Sequence, residues 1–217
     1  MLLNIITTNF LNKSLEVKNS NFKKMVNKKR IVIGLVGATG SGKDTVADYL
    51  KDKHGVQLMR FADPLKETLA IYFDKFSKED QGWLAVQFRN RFGDDILSRA
   101  LRKRIDDGEG VIMVNGVRFW EDFHFIKSYT NSYIIFIDVD QELRWKRTAS
   151  RGEKSDDAMS FEQFKETEKS METEKYVPEM GEKADFAIKN EKDLEYLMKE
   201  TDRVMKEIKE KSGYEEK

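Results

Sequence analysis

The chain has 217 residues, of which 39% are hydrophobic and 36% are charged, and this favours one domain with a sizeable core and at most a small insertion. The 39 basic and 39 acidic residues cancel, so overall charge gives no reason to expect a nucleic-acid or membrane partner. The absence of cysteine excludes disulfide and thiol chemistry and fits a cytoplasmic protein, and no apolar run approaches the ~20 residues of a membrane-spanning helix.

Residues 1–29 are predicted to form a flexible extension. Residues 1–30 contain seven Lys or Arg and one acid, Glu16, and they show little hydrophobic periodicity. Targeting peptides are also poor in acids, but this stretch has no long apolar segment. Because Met25 opens a basic stretch directly before the first predicted strand, residues 1–24 have a second interpretation, an upstream extension without a role.

The most informative feature is a glycine-rich loop at residues 37–43. It follows the apolar run 31–36, which is predicted as a buried parallel strand, and it precedes a predicted helix at 43–53. Its sequence has the G-x-x-x-x-G-K spacing of a phosphate-binding loop. Glycines permit a tight curl whose amides face one anion, and the next helix presents its positive end to that anion. The loop therefore predicts an ATP site built from Gly37, Gly40, Ser41, Gly42 and Lys43.

The residues after the loop lysine depart from the usual pattern. Ser or Thr normally follows the lysine and ligands Mg²⁺, whereas this chain has Asp44 and then Thr45. Both residues are included in the predicted ATP site. We expect Mg²⁺ to be held through Thr45, through Asp44 or largely through water.

Strands and helices alternate along the rest of the chain. Short apolar runs predict further strands at 56–61, 111–114, 133–137 and 186–188. Capping residues and helical periodicity predict helices from residue 63, at 77–92, 95–105, 119–129 and 141–151, from residue 160, and at 194–208. Five strands joined by helical crossovers predict an α/β fold, a three-layer α/β/α sandwich with a five-stranded parallel sheet.

Polar side chains follow the second and third predicted strands. Asp63 and Lys66 come after the second strand, and Arg118 comes after the third. Open α/β sheets bind ligands at the carboxyl ends of their strands. Asp63 is suited to accept a substrate hydroxyl, Lys66 to hold a substrate phosphate, and Arg118 to bind a phosphate with two hydrogen bonds. The alternatives are a helix cap for Asp63 and a solvated first-turn lysine for Lys66.

Two groups of arginines are further candidates. The basic region 89–104 includes Arg99, which is a candidate for the acceptor phosphate, although a solvated face is the default interpretation of such a region. Arg144 and Arg147 share a helical face with Arg151, one turn further on. Such a row is suited to stabilising the charge of a phosphoryl group in transfer, and the alternative is a charged face that pairs with neighbouring glutamates.

Taken together, these segments resemble the P-loop nucleoside monophosphate kinase superfamily. The similarity to phage-type deoxynucleoside monophosphate kinases covers residues 30 to about 125 and rests on segments 40–45, 61–66, 91–95 and 117–121. From residue 138 onward, the arginine row and residues 184–190 look more like dephospho-coenzyme A kinases and adenylate kinases. The resemblance implies a P-loop NTPase fold of the nucleotide kinase type with a small helical lid, and it implies Mg²⁺ and ATP as cofactor and co-substrate.

The resemblance also implies a division of the chain and of its site residues. A kinase domain is expected at 30–212, with a substrate-binding helical lobe at about 63–108, a lid at about 147–180 and a tail at 213–217. The implied catalytic residues are Lys43, Arg118, Arg144, Arg147 and Arg151. Arg144 and Asn190 join the ATP site, with Asn190 near the base, and the implied acceptor residues are Asp63, Lys66, Arg99 and Arg118.

The implied reaction is transfer of the ATP γ-phosphoryl group to a nucleoside or deoxynucleoside monophosphate, without a covalent enzyme intermediate. The expected partner is a small-molecule nucleotide, and the protein is expected to be a cytoplasmic monomer or homodimer. Three alternatives stay open: a kinase for another phosphate-bearing acceptor such as dephospho-coenzyme A or phosphomevalonate, a P-loop switch or motor, and a nucleotide-binding protein with degraded activity. A switch or motor needs Asp at the end of the third strand, and this chain has Asn115 there, which argues against that alternative.

Overall fold

The computed structural model describes residues 30–149 and 159–214. The predicted extension at 1–29 and the candidate Arg151 therefore lie outside the described residues. The five strands are β1 (Arg30–Val36), β2 (Gln57–Arg60), β3 (Gly110–Asn115), β4 (Ser132–Asp138) and β5 (Phe186–Lys189). The helices of the described part are α1 (Lys43–His54), α2 (Asp63–Tyr72), α3 (Lys78–Phe92), α4 (Ile96–Asp107), α5 (Trp120–Lys127), α6 (Gln141–Ala149), α7 (Phe161–Ser170), α8 (Val177–Glu182) and α9 (Leu194–Ser212).

The strands form one sheet in the order β2-β3-β1-β4-β5, and every pair is parallel. The chain leaves β1 for strands on one side, then returns for strands on the other side. This makes the carboxyl end of β1 a topological switch point, where open α/β sheets bind ligands. The predicted sandwich with a five-stranded parallel sheet is confirmed, and the glycine-rich loop lies at its switch point.

Helices cover both faces of the sheet. On one face, α1 and α9 pack on alternate residues of β1 and β4 in a cluster that includes Ile33, Leu50 and Met205. On the other face, α4, α5 and α8 pack on the intervening residues in a cluster that includes Val32 and Ile126. Because successive side chains of a strand point to opposite faces, an unbroken apolar run such as β1 supplies both cores.

Helices α2, α3 and α4 connect β2 to β3 and pack partly against one another. Leu65, Ala85 and Leu97, one from each helix, form a small apolar cluster of their own. Helix α3 begins with a capping box, in which Ser77 accepts the Asp80 N–H and Asp80 accepts the Ser77 N–H. These helices lie in the segment predicted as the substrate-binding lobe.

Helix α8 is the one element of the described chain that the sequence analysis missed. Its Val177 and Met180 are buried against the sheet. The sequence feature that could have predicted the start of this helix is Pro178, which lies in the first helical turn directly after a valine. Within the described residues, no helix is both long and apolar enough to span a membrane.

Candidate active site

The loop between β1 and α1 has the backbone that its glycines predict. Gly40 and Gly42 adopt φ values of 80° and 93°, in the left-handed region that glycine enters without a steric cost. A Cβ at Gly42 would lie 2.5 Å from the Asn190 side-chain nitrogen, and one at Gly40 would lie 2.9 Å from the Thr148 hydroxyl. Both conformation and close packing therefore require glycine at these two positions.

Lys43 is buried at the start of α1, with 7% of its surface exposed. Its Nζ donates a hydrogen bond to the Ala38 carbonyl, 2.8 Å away, so the amine lies over the loop. The pKa of Lys43 is lowered to about 7, first by burial and then by the positive charge of Arg118, while the Glu174 carboxylate opposes the shift. An anion beside this amine would favour its charged form.

Arg118 and Arg144 converge on the loop from two sides. Arg118 Nη1 donates to the Gly37 carbonyl at 3.2 Å and to Glu174 Oε1 at 2.7 Å. Arg144, which is buried, donates to the Thr39 carbonyl at 3.2 Å and forms a two-pronged pair with Glu168. The structure thus brings two of the predicted arginines to the loop.

Asp122 supports the position of Arg118. Its carboxylate accepts the backbone N–H groups of Arg118 and Phe119, each at 3.2 Å, at the start of α5. Burial raises the pKa of Asp122 to about 6, although these two hydrogen bonds oppose the rise.

Asp44 and Asn115 form a polar pair beside the loop. Asn115 Nδ2 donates to Asp44 Oδ1 at 2.7 Å, which orients the carboxylate and leaves the Asn115 amide oxygen buried without a hydrogen-bond partner among the described residues. Oxygen donors of this kind suit Mg²⁺. No group of three or more His, Cys, Asp or Glu in the described parts could hold a metal ion, so a Mg²⁺ held here would complete its shell with water and phosphate.

Two of the cavities beside the loop lie on its β3 and β5 sides. The β3-side cavity, of about 350 Å³, is lined by Lys43, Asp44, Arg118 and Asn115, and also by Arg60 and Phe61. The β5-side cavity, of about 320 Å³, is lined by residues that include Gly40, Gly42, Thr45, Arg147 and Asn190. Asp44 and Thr45 therefore face different cavities, because consecutive helical residues point about 100° apart.

Asn190 is buried at the end of β5, where its side-chain amide donates to the Ser41 carbonyl at 2.9 Å. Ser41 is also buried, and its hydroxyl has no hydrogen-bond partner within the described chain. The residue predicted near the base thus contacts the loop itself and lines the β5-side cavity.

Three candidates for the acceptor site lie away from the lining of the β3-side cavity. Asp63, the first residue of α2, accepts the Arg60 N–H at 2.7 Å. Lys66 is exposed, and Arg99 pairs with Asp95 at 3.3 Å. Arg60 instead lines the cavity. The sequence feature that could have identified it is its position at the end of β2.

Comparison with known proteins places the chain in a family. The profile of the family described as an AAA domain matches residues 33–173. The chain belongs to this AAA domain family. A UPF0200 protein of Sulfurisphaera tokodaii is 26% identical over 179 residues, covering 82% of this chain and 97% of that protein. A protein of Acanthamoeba polyphaga mimivirus named putative deoxynucleotide monophosphate kinase is 30% identical over 143 residues, covering 50% of this chain and 74% of that protein.

Solved structures show the same fold for this AAA domain protein. TT1252 from Thermus thermophilus matches with a TM-score of 0.58 at 18% identity, covering 82% of this chain and 97% of that chain. Shikimate kinase from Aquifex aeolicus matches with a TM-score of 0.51 at 19% identity and the same coverage. The fold is thus that of P-loop kinases. Together with the AAA domain match and the mimivirus relative, it supports the resemblance to the P-loop kinase superfamily.

Proposed function

We propose that this protein transfers the γ-phosphoryl group of ATP to a nucleoside or deoxynucleoside monophosphate. The observation that carries the proposal is the arrangement of two cavities on opposite sides of one phosphate-binding loop, with Lys43 and Arg118 lining the cavity next to β3. Phosphoryl transfer needs a donor and an acceptor in line, with positive charge between them. The mimivirus relative's name supports a nucleotide as the acceptor.

In this proposal, ATP enters from the β5-side cavity. Its base lies near Asn190, Thr45 contacts its phosphates, and Lys43 supplies the charge that holds the outer phosphates. Asp44, oriented by Asn115, is the protein group that would hold Mg²⁺, which neutralises phosphate charge when bound. Arg147 lines the same cavity and is proposed to contact the nucleotide.

The acceptor phosphate is proposed to bind in the β3-side cavity. Arg60 and Arg118 line that cavity and offer planar donors that suit a phosphate. Arg118 and Arg144 would then stabilise charge on the group in transfer. Positioning and electrostatic stabilisation suffice for such a reaction, so no covalent intermediate is proposed. We further propose that the protein acts in the cytoplasm, where Mg·ATP is abundant.

The test is incubation with Mg·ATP and a panel of ribo- and deoxynucleoside monophosphates, with dephospho-coenzyme A and phosphomevalonate as competing acceptors. We expect ADP release with at least one nucleoside monophosphate. Turnover of only a non-nucleotide acceptor would reassign the substrate, and ATP binding without transfer to any acceptor would identify a protein with degraded activity.

The matched variants for this assay are Lys43→Ala and Lys51→Ala. Both remove a lysine from α1, but Lys51 is exposed at the far end of the helix. We expect Lys43→Ala to lose nearly all transfer while keeping its fold by circular dichroism, and Lys51→Ala to remain active. Full turnover by a folded Lys43→Ala protein would contradict the proposed mechanism.

A further inference from the structure

A buried carboxylate lies against the phosphate-binding loop, and the proposed function gives it no role. Glu174 belongs to the turn between α7 and α8, and its side chain is only 4% exposed. Its Oε1 accepts hydrogen bonds from the Thr39 hydroxyl and from Arg118 Nη1, each at 2.7 Å. Its Oε2 accepts the Thr39 N–H at 3.3 Å. Its charge also reaches Lys43, whose pKa it raises.

The groups around Glu174 are those that proteins use to bind phosphate. A loop amide, a hydroxyl, a guanidinium and a nearby ammonium form a donor set suited to an anion with several oxygens. In this structure a carboxylate of the chain satisfies that set. The guanidinium of Arg144 is likewise occupied by a carboxylate of the chain, because it forms a two-pronged pair with Glu168 on α7.

We propose that Glu174 is an internal phosphate surrogate, whose carboxylate occupies a subsite that a phosphate of the bound nucleotide takes. This inference rests on the proposed role of the loop in binding ATP. A carboxylate and a phosphate cannot share the Thr39 amide and the Arg118 guanidinium, since both are anions and would repel at contact distance. Nucleotide binding therefore displaces Glu174, and the free protein is in a self-inhibited state.

The structure leaves room for this displacement. A cavity of about 430 Å³ adjoins the loop, and Glu168 and Glu174 both line it. Its lining combines the basic side chains of Arg144, Lys169 and Lys175 with the carboxylates of Asp138, Glu168 and Glu174, so a withdrawn Glu174 carboxylate stays beside positive charge. The turn at 172–176 is joined to its neighbours by three backbone hydrogen bonds, from the Glu174 N–H to the Met171 carbonyl, from the Val177 N–H to the Glu174 carbonyl and from the Met180 N–H to the Tyr176 carbonyl. None of these three bonds joins the turn to a strand, so the Glu174 side chain is able to withdraw without breaking a hydrogen bond of the sheet.

The test compares ATP affinity in Glu174→Gln, Glu172→Gln and the wild type by isothermal titration calorimetry. Glutamine keeps the size of Glu174 and still accepts a hydrogen bond, but it removes the competing charge. When a protein occupies its own site, only the fraction of molecules with an open site can bind ligand, and the apparent affinity falls in proportion. We therefore expect Glu174→Gln to bind ATP at least about fivefold more tightly than the wild type. Glu172 lies in the same turn and is exposed, so Glu172→Gln controls for net charge and should match the wild type.

Equal or weaker ATP binding by Glu174→Gln would overturn the inference and make Glu174 a structural anchor for Arg118. A second measurement uses the wild type alone, so it does not depend on the variant folding. Hydrogen exchange of the 172–177 amides should speed up when ATP saturates the protein, and slower or unchanged exchange would overturn the inference. If the wild type binds ATP and turns over an acceptor while these results are negative, only this inference fails. If the wild type does not bind ATP, the proposed function fails.

Discussion

Binding of ATP should be coupled to proton uptake by Lys43. The amine is buried and lies near Arg118, and its pKa is about 7 in the free protein. At pH 8 only about a tenth of these amines carry a proton, because the pH is one unit above the pKa. Phosphate oxygens placed beside the amine should return its pKa toward the ordinary value of about 10.4. The protein should therefore take up about 0.9 proton per ATP at pH 8 and about 0.1 at pH 6.

Calorimetry measures this uptake directly. The heat of ATP binding is recorded at pH 8 in two buffers that differ in ionisation enthalpy, and the difference in heat divided by the difference in enthalpy gives the number of protons. The phosphates of ATP are fully ionised at pH 8, since the pKa of a phosphate monoester is about 6. The same linkage predicts that ATP binds about fivefold more tightly at pH 7 than at pH 8.

The control is Lys43→Met, which keeps an unbranched side chain one atom shorter but cannot titrate. Its ATP affinity should be lower, and it should be equal at pH 7 and pH 8. Equal heats for the wild type in both buffers at pH 8, at saturating ATP, would refute the argument that Lys43 is neutral before the nucleotide arrives.

Three further outcomes are expected. Asp44→Asn should raise the Mg²⁺ concentration for half-maximal turnover about tenfold, because the carboxylate is the charged donor of the proposed metal site, and a Mg²⁺ titration at fixed ATP measures this. Arg60→Ala should raise KM for the acceptor about tenfold and more than Lys66→Ala does, since Arg60 lines the β3-side cavity and Lys66 is exposed; equal KM values in steady-state kinetics would contradict the assignment. The pKa of Asp122 is raised from 3.8 to about 6 in the folded protein, so the folded state binds the proton more tightly and its stability falls as pH rises from about 4 to 6. Between pH 4 and pH 8, the free energy of unfolding measured with urea should fall less for Asp122→Asn than for the wild type, by up to about 3 kcal/mol. Identical falls in the two proteins would rule out this titration.

Much of the fold was predictable because its signals are local. The apolar run of β1, the glycine spacing of the loop and the capping residues of the helices each lie within a few consecutive positions. Predicted boundaries agree with the observed ones to within a few residues, as for β4, predicted at 133–137 and observed at Ser132–Asp138. Helix α8 was missed because it has only six residues, too few to establish a helical period.

The candidate site was predictable only in part, since its contacts join distant segments. Thr39 and Glu174 are 135 positions apart, and no sequence pattern indicated that an acidic turn would lie against the loop. Asp63 and Lys66 stood out because they are polar residues after a strand, yet the charged residue of this segment that lines the β3-side cavity is Arg60. Which side of a helix or turn faces a cavity depends on how the elements pack, and a single sequence does not encode that locally.

The sequence by itself determined the parallel α/β architecture, the position of the phosphate-binding loop and the identity of its lysine, because periodicity and glycine spacing are properties of neighbouring residues. Only the tertiary structure decided that Asp44 and Thr45 face separate cavities and that Lys43 is buried enough to lower its pKa. It also decided that the Glu168 and Glu174 carboxylates engage the two arginines at the loop. Burial and charge proximity arise when segments far apart in the chain meet, and they exist only in the packed molecule.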